Sequence, residues 1–333
     1  MNRFEIIAPS DLPGASRLLA QRGSIALAGG IDIIDLLNQE IIEPRALINL
    51  KALSGMDAIQ SDGAAGLRIG ALVKLHQVAN SHEVRERYAA IAEAAGTAAT
   101  PQIRNLATIA GNLLQRPRCW YFRNPEIVCL KKGGHTCYAL NGLNRYHAIL
   151  GGGPSFIVHP SNLAPALIAF DATVRIAGPD GKRSLVLDQF FTLPSMDATR
   201  ENVLGTGEII IDVIVPPPAA SAGSAYLEVR EKQSFDWPLV SAAAVLETGS
   251  SSNEVRRARV VLGAVAPVPW RSREAEHALI GAVLNRTRAE SAAEQALKGA
   301  RPLPHNAYKV AIARALVRRS VLHAGRVEEA CDG

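Results

Sequence analysis

The chain has 333 residues, of which 48% are apolar and 20% are charged, and its formal net charge at pH 7 is +5. This length predicts two or three compact units, and this composition is ordinary for a soluble globular protein. No apolar run approaches the roughly 20 residues that a membrane helix needs, and the N-terminus lacks the apolar region of a signal peptide. The sequence therefore predicts a cytoplasmic chain without membrane insertion.

Much of the basic excess lies near the C-terminus, between Arg301 and Arg326. A solvated helix face explains such a cluster, and so does a docking surface for an acidic partner around Lys309–Arg319. Nucleic acid is a weaker interpretation, because no aromatic residues are interleaved with the basic ones to stack on bases. We therefore expect no nucleic-acid partner.

The first 55 residues predict a small α/β unit of three strands and two helices. The first helix should begin after Ser10 or Asp11, either of which can cap it, and end before Gly23. The second helix should begin near Asp32. The strands are predicted at Phe4–Ile7, Ser24–Leu27 and Ala46–Leu50.

Residues 56–220 predict a second unit, of the α+β class, which ends at the proline run 216–218. An alanine-rich helix is expected at 87–99, with Pro101 stopping it and a short extended piece following at 103–113. Residues 114–153 show little periodicity, and an irregular segment of that length is usually functional. Strands are expected at 156–159, 171–177, 184–187 and 208–215, with a hairpin turn at 179–181.

Residues 221–333 predict a third unit, also of the α+β class. Strands are expected at 226–230, 240–247 and 255–265, and the chain from Ser272 onward should be mainly helical. The predicted fold class is therefore α+β with a small α/β unit at the N-terminus.

The segment Ala26–Ile34 is a strand that runs through Gly29 and Gly30 into a helix. Glycine lets the backbone turn tightly and bring bare N–H groups against an anion, and a helix N-terminus adds partial positive charge. This arrangement suits a pyrophosphate, although a plain β–α turn explains the glycines equally well. The segment lacks the GxGxxG pattern, so a Rossmann site is not supported.

A second polar turn lies about 80 residues further on, where Thr108, Gly111 and Asn112 fall within five residues. A hydroxyl, a glycine and an amide so close together can bind phosphate or ribose oxygens. An ordinary polar turn is the alternative for this motif taken alone.

Three of the four cysteines, Cys119, Cys129 and Cys137, lie in the irregular segment, and Cys331 lies in the C-terminal tail. An odd cluster in a reducing compartment favours metal ligation over a disulfide. A structural zinc site is one interpretation, but zinc knuckles usually use the tight CxxC spacing that is missing here.

The two turns, taken in this order with the segments 103–107 and 159–166 and the proline run, resemble the FAD-binding subunits of the xanthine dehydrogenase and carbon monoxide dehydrogenase family. The resemblance covers essentially the whole chain. It implies an N-terminal FAD-binding subdomain at 1–55, a second FAD-binding subdomain at 56–220 with a cysteine loop at about 114–153, and a C-terminal domain at 221–333.

The resemblance implies that both turns grip the FAD pyrophosphate. This chain departs from the family pattern where Ile31 replaces a common Thr, where Asn162 replaces an Asp beside the flavin, and where Glu228 replaces a Lys near its ring. The last change would destabilise the anionic reduced flavin. The implied cofactor-binding residues are Ala26, Leu27, Ala28, Gly29, Gly30, Ile31, Asp32, Ile33, Ile34, Thr108, Gly111, Asn112, Gln115, Asn162 and Glu228.

The cysteine loop is similar to that of the aldehyde oxidoreductase type within this family, which carries a [4Fe-4S] cluster at this place. Such a cluster takes four ligands, and the loop offers the three thiolates of Cys119, Cys129 and Cys137. The resemblance favours His147 as the fourth ligand, with His135 and Cys331 as competitors. A zinc site stays open as the alternative.

The resemblance implies an electron-transfer subunit of a heterotrimeric molybdenum hydroxylase. A large subunit with the molybdenum cofactor would oxidise the substrate, and a small [2Fe-2S] subunit would relay electrons to FAD here and on to an external acceptor. We find no molybdenum or two-iron cysteine pattern in this sequence. The alternatives are a free-standing flavin oxidase and a zinc-bearing scaffold or RNA-binding protein. Periplasmic location would follow if the chain were exported with a signal-bearing partner.

Overall fold

The computed structural model describes residues 3–63, 66–232, 234–249 and 253–328. Its strands form three separate sheets that follow one another along the chain. Among the described residues, no helix is both long and apolar enough to cross a membrane.

The N-terminal unit is a three-stranded parallel sheet in the order β1-β3-β2, with two helices in its crossovers. Asp11 caps the first helix by accepting a hydrogen bond from the Gly14 amide at 2.6 Å. The central strand is buried, as a parallel sheet covered on its faces requires. The elements are β1 (Glu5–Ile7), α1 (Leu12–Leu19), β2 (Ser24–Leu27), α2 (Ile31–Asn38) and β3 (Ala46–Asn49).

The second unit is built on a five-stranded antiparallel sheet in the order β4-β5-β8-β6-β7. Short helices pack against it and share one large apolar core with the N-terminal unit. The elements are β4 (Ile59–Ser61), β5 (Leu67–Gly70), α3 (Leu75–Asn80), α4 (His82–Arg87), α5 (Ala89–Thr97), α6 (Pro101–Arg104), α7 (Ile109–Leu113), α8 (Leu163–Ala169), β6 (Thr173–Gly178), β7 (Gly181–Val186) and β8 (Ile209–Val215).

The third unit is a four-stranded antiparallel sheet in the order β12-β11-β10-β9, with three helices packed on it around a core of its own. Asp171 of the second unit accepts hydrogen bonds from Arg257, Arg259 and Arg271, which ties the two units together. The elements are β9 (Ala222–Val229), β10 (Val240–Thr248), β11 (Val255–Gly263), β12 (Trp270–Arg271), α9 (Arg273–Leu279), α10 (Arg286–Leu297) and α11 (Tyr308–Ala324).

This architecture confirms the predicted α+β class, but three local predictions are wrong. The segment 103–113 is not extended, because Thr100 caps α6 and Thr108 caps α7 through their side chains. Pro101 stands in the first turn of α6 and starts that helix, since this position needs no backbone donor. The segment 156–159 forms no strand and is held by single bonds, such as that from the His159 amide to the Ala266 carbonyl at 2.9 Å.

Within the sheet of the second unit, Asp212 on β8 forms ion pairs with Arg68 on β5 and Arg175 on β6. The Asp212 side chain is fully buried, and it accepts bonds from Arg68 Nε at 2.7 Å and from Arg175 Nε at 2.5 Å. Burial alone would raise the pKa of Asp212, but the hydrogen bonds and charges of both arginines hold it below its ordinary value of 3.8.

Replacing Asp212→Asn should destabilise the protein by about 1–3 kcal/mol, because two partly exposed arginines would face each other without a carboxylate. Since the folded pKa is depressed, this stabilisation is present at neutral pH and is lost as the pH falls through the folded pKa. Urea denaturation of wild type and variant at neutral and acidic pH measures it. Glu43→Gln, at an exposed position, is the control and should shift the free energy of unfolding by less than about 0.5 kcal/mol.

Candidate functional site

The two glycine-containing turns meet in space although they are far apart in the chain. A Cβ atom on Gly29 would lie 2.3 Å from the carbonyl oxygen of Leu106, so only glycine permits this backbone contact. Gly30 has a φ of +81° and stands as the residue before the first turn of α2. The fold therefore packs the start of α2 directly against the segment that leads into α7.

A cavity of about 390 Å³ opens beside this contact. Its walls are mainly apolar, with Met56, Leu72, Leu75 and Ile103 among them. Most of the residues expected to bind the cofactor line it: Ala26, Ala28, Gly29, Gly30, Ile31, Asp32, Ile33, Thr108, Gly111, Asn112, Gln115 and Asn162.

Three expected cofactor residues, Leu27, Ile34 and Glu228, do not line this cavity. The side chain of Ile34 is 49% exposed on the outer side of α2. Glu228 borders a neighbouring open cleft instead, together with Arg230.

Glu228 is held by an ion pair and by two hydrogen bonds. Its Oε2 accepts hydrogen bonds from Asn162 Nδ2 at 2.9 Å and from the Tyr226 hydroxyl at 2.8 Å. Its Oε1 forms an ion pair with Arg230, whose Nε lies 2.7 Å away. A cation is therefore present beside the carboxylate that replaces the common lysine.

Thr108 and Asn112 hold the second turn in shape from the inside. Thr108 Oγ1 accepts a bond from the Gly111 amide at 3.2 Å. Asn112 Oδ1 accepts bonds from the Ser161 hydroxyl at 2.6 Å and from the Leu163 amide at 3.3 Å. Both side chains are buried, so the turn is fixed against the start of α8.

These features fit FAD. No side chain caps the N-terminus of α2, so the first-turn amides are available to an anion such as pyrophosphate. A Cβ at Gly29 or Gly30 would intrude on this turn. The apolar walls suit the flat rings of a dinucleotide, as in most cofactor sites.

The cysteine loop brings its expected ligands together. His147 Nε2 lies 3.2 Å from Cys119 Sγ, and Cys119 packs against Cys129 in a small apolar cluster. Burial, with smaller contributions from the nearby Cys137 and Cys129 thiols, raises the pKa of the Cys119 thiol to about 11. His147 and the other two cysteines therefore each lie near Cys119.

His147 is a neutral imidazole in this environment. Burial, with a smaller contribution from the charge of Lys309, lowers the pKa of His147 to about 4. Its Nδ1 is buried without a hydrogen-bond partner in the described structure. A neutral ring nitrogen and cysteine sulfurs are donor types that suit a soft or borderline metal such as iron or zinc.

The loop is not arranged around a single ion: within the described ranges, no group of three or more His, Cys, Asp or Glu side chains is placed to hold a metal ion. Of the competing fourth ligands, His135 is exposed and Cys331 lies outside the described residues.

The loop is tied to α2 by a four-residue charge cluster. Arg118 Nη1 and Arg123 Nη2 each lie 2.8 Å from Asp32 Oδ1. Asp35 Oδ2 accepts a further bond from Arg123 at 2.9 Å. The cavity-lining Asp32 therefore directs its carboxylate towards the cysteine loop.

Ion pairs and a hydrogen bond also join the loop to residues 200–201 of the second unit. Lys131 Nζ is buried, lies 3.0 Å from Glu201 Oε1 and donates to the Arg200 carbonyl at 2.6 Å. Arg116 pairs with the other Glu201 oxygen at 2.8 Å.

Lys309 does not belong to the exposed basic surface that was expected on α11. Its side chain is buried, and its Nζ donates to the carbonyls of Ala264 at 2.6 Å and His147 at 3.1 Å. Burial lowers the pKa of Lys309 to about 7. Arg314 and Arg319 of the same helix are exposed.

Several cavity residues carry no signal in the sequence. Arg118 lines the cavity and stacks over the Trp237 ring at 4.4 Å. Phe235 and Trp237 belong to the segment between β9 and β10 that closes one side of the cavity. The position of Arg118 next to Cys119 is the feature of the sequence that could have drawn attention to it.

Comparison with known proteins agrees with this geometry. Residues 2–218 match the family described as FAD binding domain in molybdopterin dehydrogenase, and residues 224–324 match the CO dehydrogenase flavoprotein C-terminal domain. The aldehyde oxidoreductase FAD-binding subunit PaoB of Escherichia coli is 38% identical over 307 residues, covering 91% of this chain and 92% of that protein.

More distant relatives preserve the same architecture. The carbon monoxide dehydrogenase medium chain of Hydrogenophaga pseudoflava is 28% identical over 326 residues, covering 96% of each chain. A solved structure of carbon monoxide dehydrogenase from that organism superposes with a TM-score of 0.77 at 26% identity, covering 97% of both chains. The chain therefore belongs to the family of FAD-binding subunits of molybdenum hydroxylases, and it is a flavoprotein subunit of an oxidoreductase.

Proposed function

We propose that this chain is an electron-transfer subunit of a heterotrimeric molybdenum hydroxylase of the aldehyde oxidoreductase or xanthine dehydrogenase type. It holds FAD in the glycine-turn cavity and a [4Fe-4S] cluster on Cys119, Cys129, Cys137 and His147. Its partners are a large subunit with the molybdenum cofactor and a small [2Fe-2S] subunit, and an external acceptor receives the electrons.

The observation that carries the proposal is the adjacency of the two sites. Arg118 lines the cavity, and the next residue, Cys119, lies 3.2 Å from His147. A cluster on Cys119 would therefore sit beside the flavin cavity. The bound flavin and cluster supply the redox chemistry, while the protein supplies position, charge and protection from water.

The work of the protein residues is to bind and to orient. The α2 amides and the turn that Thr108 and Asn112 hold in shape would grip the pyrophosphate of FAD. Loop aromatics would shield the cluster, since the rings of Trp120 and Tyr121 lie 5.8 and 6.2 Å from His147. Lys309 fixes the backbone of His147 through its carbonyl.

Substituting Gly29→Ala should weaken FAD binding by at least about tenfold, because the new Cβ must push the Leu106 carbonyl away and separate the two turns. Titration of the deflavinated protein with FAD, followed by flavin fluorescence, measures the dissociation constant. Gly299→Ala, whose Cβ would meet no atom within 4 Å, should bind FAD as the wild type does. Unchanged affinity in Gly29→Ala would show that the turn does not hold the cofactor.

The cluster is tested by metal analysis of the purified protein. We expect about four irons and four acid-labile sulfides per chain, and we expect Cys129→Ser to lose both because a thiolate ligand is removed. His147→Ala should also lose iron, whereas His135→Ala should keep it, since His135 is exposed and is not the proposed ligand. Stoichiometric zinc without iron would refute the cluster and leave the FAD site unaffected.

The subunit assignment predicts that the isolated chain oxidises neither aldehydes nor purines. Co-expression with its molybdenum and [2Fe-2S] partners should restore substrate-dependent reduction of the flavin, seen as bleaching of its visible absorbance. Chemical reduction of the isolated chain by dithionite is the control and should bleach it in both preparations. Turnover by the chain alone would instead support a free-standing flavin enzyme.

A further inference from the structure

We propose that Arg118, a residue of the cysteine loop, binds the pyrophosphate of FAD directly, so that the loop completes the flavin site. The inference rests on the proposed function for the existence of the cluster. The contacts of Arg118 that support it are all made with described residues of this chain.

Arg118 is held at the cavity from three sides. Its Nη1 lies 2.8 Å from Asp32 Oδ1, and its Nη2 donates to Gln115 Oε1 at 3.1 Å. Its guanidinium stacks over the Trp237 ring at 4.4 Å. A guanidinium fixed in this way is already oriented and loses little freedom when it binds an anion.

Arg118 also retains unused hydrogen-bonding capacity. Its side chain is only 15% exposed, and its Nε is buried without a hydrogen-bond partner among the residues described. A buried donor without a partner is costly, and an oxygen-rich ligand in the adjoining cavity would satisfy it.

The charge balance at the start of α2 gives the second argument. Asp32 is the second residue of this helix, at the end whose free amides attract an anion. Its carboxylate and that of Asp35 would oppose a pyrophosphate. Arg118 and Arg123 neutralise both, and the Arg116 amide donates a further bond to Asp32 at 2.8 Å.

The consequence is a coupling between loop and flavin. If folding of the loop positions Arg118, then FAD must in turn favour the folded loop by the same factor, because binding linkage is reciprocal. The protein whose loop has lost iron through Cys129→Ser should therefore bind FAD more weakly than the iron-loaded protein.

The test compares the FAD affinity of Arg118→Gln with that of Arg123→Gln in the full chain. Arg123 pairs with the same carboxylates but does not line the cavity, so it is the matched control. We expect Arg118→Gln to raise the dissociation constant of FAD about tenfold or more, and Arg123→Gln about threefold or less. Arg118→Lys should fall between wild type and Arg118→Gln, since it keeps the charge but loses the fork.

Two results would overturn the proposal. If both glutamine variants weaken FAD equally, Arg118 acts only by anchoring the loop. If Asp32→Asn restores wild-type affinity to Arg118→Gln, the arginine serves only to neutralise Asp32. A direct contact predicts that the double variant stays weak. Failure of the wild type to bind FAD would instead refute the flavin site itself, so the two failures are distinguishable.

Discussion

The close approach of the Gly29 backbone to the Leu106 carbonyl is the constraint on which the flavin site depends. It joins two units that are separate along the chain and separate in their sheets, and it leaves no room for a side chain. Because the contact is made by backbone atoms, it fixes the position of the first turn of α2 relative to α7 more firmly than flexible side chains could. The cavity lies beside this contact, and Gly29 and Ala107 both line it.

The charge cluster at α2 extends this constraint to the cysteine loop. The loop has almost no regular structure, with one 3-10 turn at Leu130–Lys132, so side chains must hold it. Asp32 and Asp35 bind it on one side, and Glu201 binds Lys131 on the other. Each of these pairs is partly or fully buried, where an ion pair is geometrically demanding and an unpaired charge is costly. The loop is therefore specified by charges rather than by periodicity.

The contrast between elements that follow hydrophobic patterns and segments that are held by side-chain contacts explains what could be predicted from the sequence. The strands of the N-terminal sheet and of the C-terminal sheet follow hydrophobic patterns, and the glycine turns follow from backbone geometry, so both were within reach. The segment 103–113 was not, because its helices depend on the caps Thr100 and Thr108 and were hidden by Pro101. The basic helix predicts Lys309 at the surface, since a sequence does not show that three carbonyls surround its ammonium group. The role of Arg118 likewise depends on contacts with distant residues.

The unusual residues at positions 162 and 228 are best understood as one change. An Asp at position 162 would face Glu228 within hydrogen-bonding distance, and two carboxylates there would repel each other. Asn162 removes that repulsion and donates its amide to Glu228 at 2.9 Å. The resemblance pairs an Asp with a Lys at these places, which sums to no net charge. Here Asn162, Glu228 and Arg230 also sum to no net charge. Arg230, two residues along the chain, therefore supplies the cation that balances the charge of Glu228.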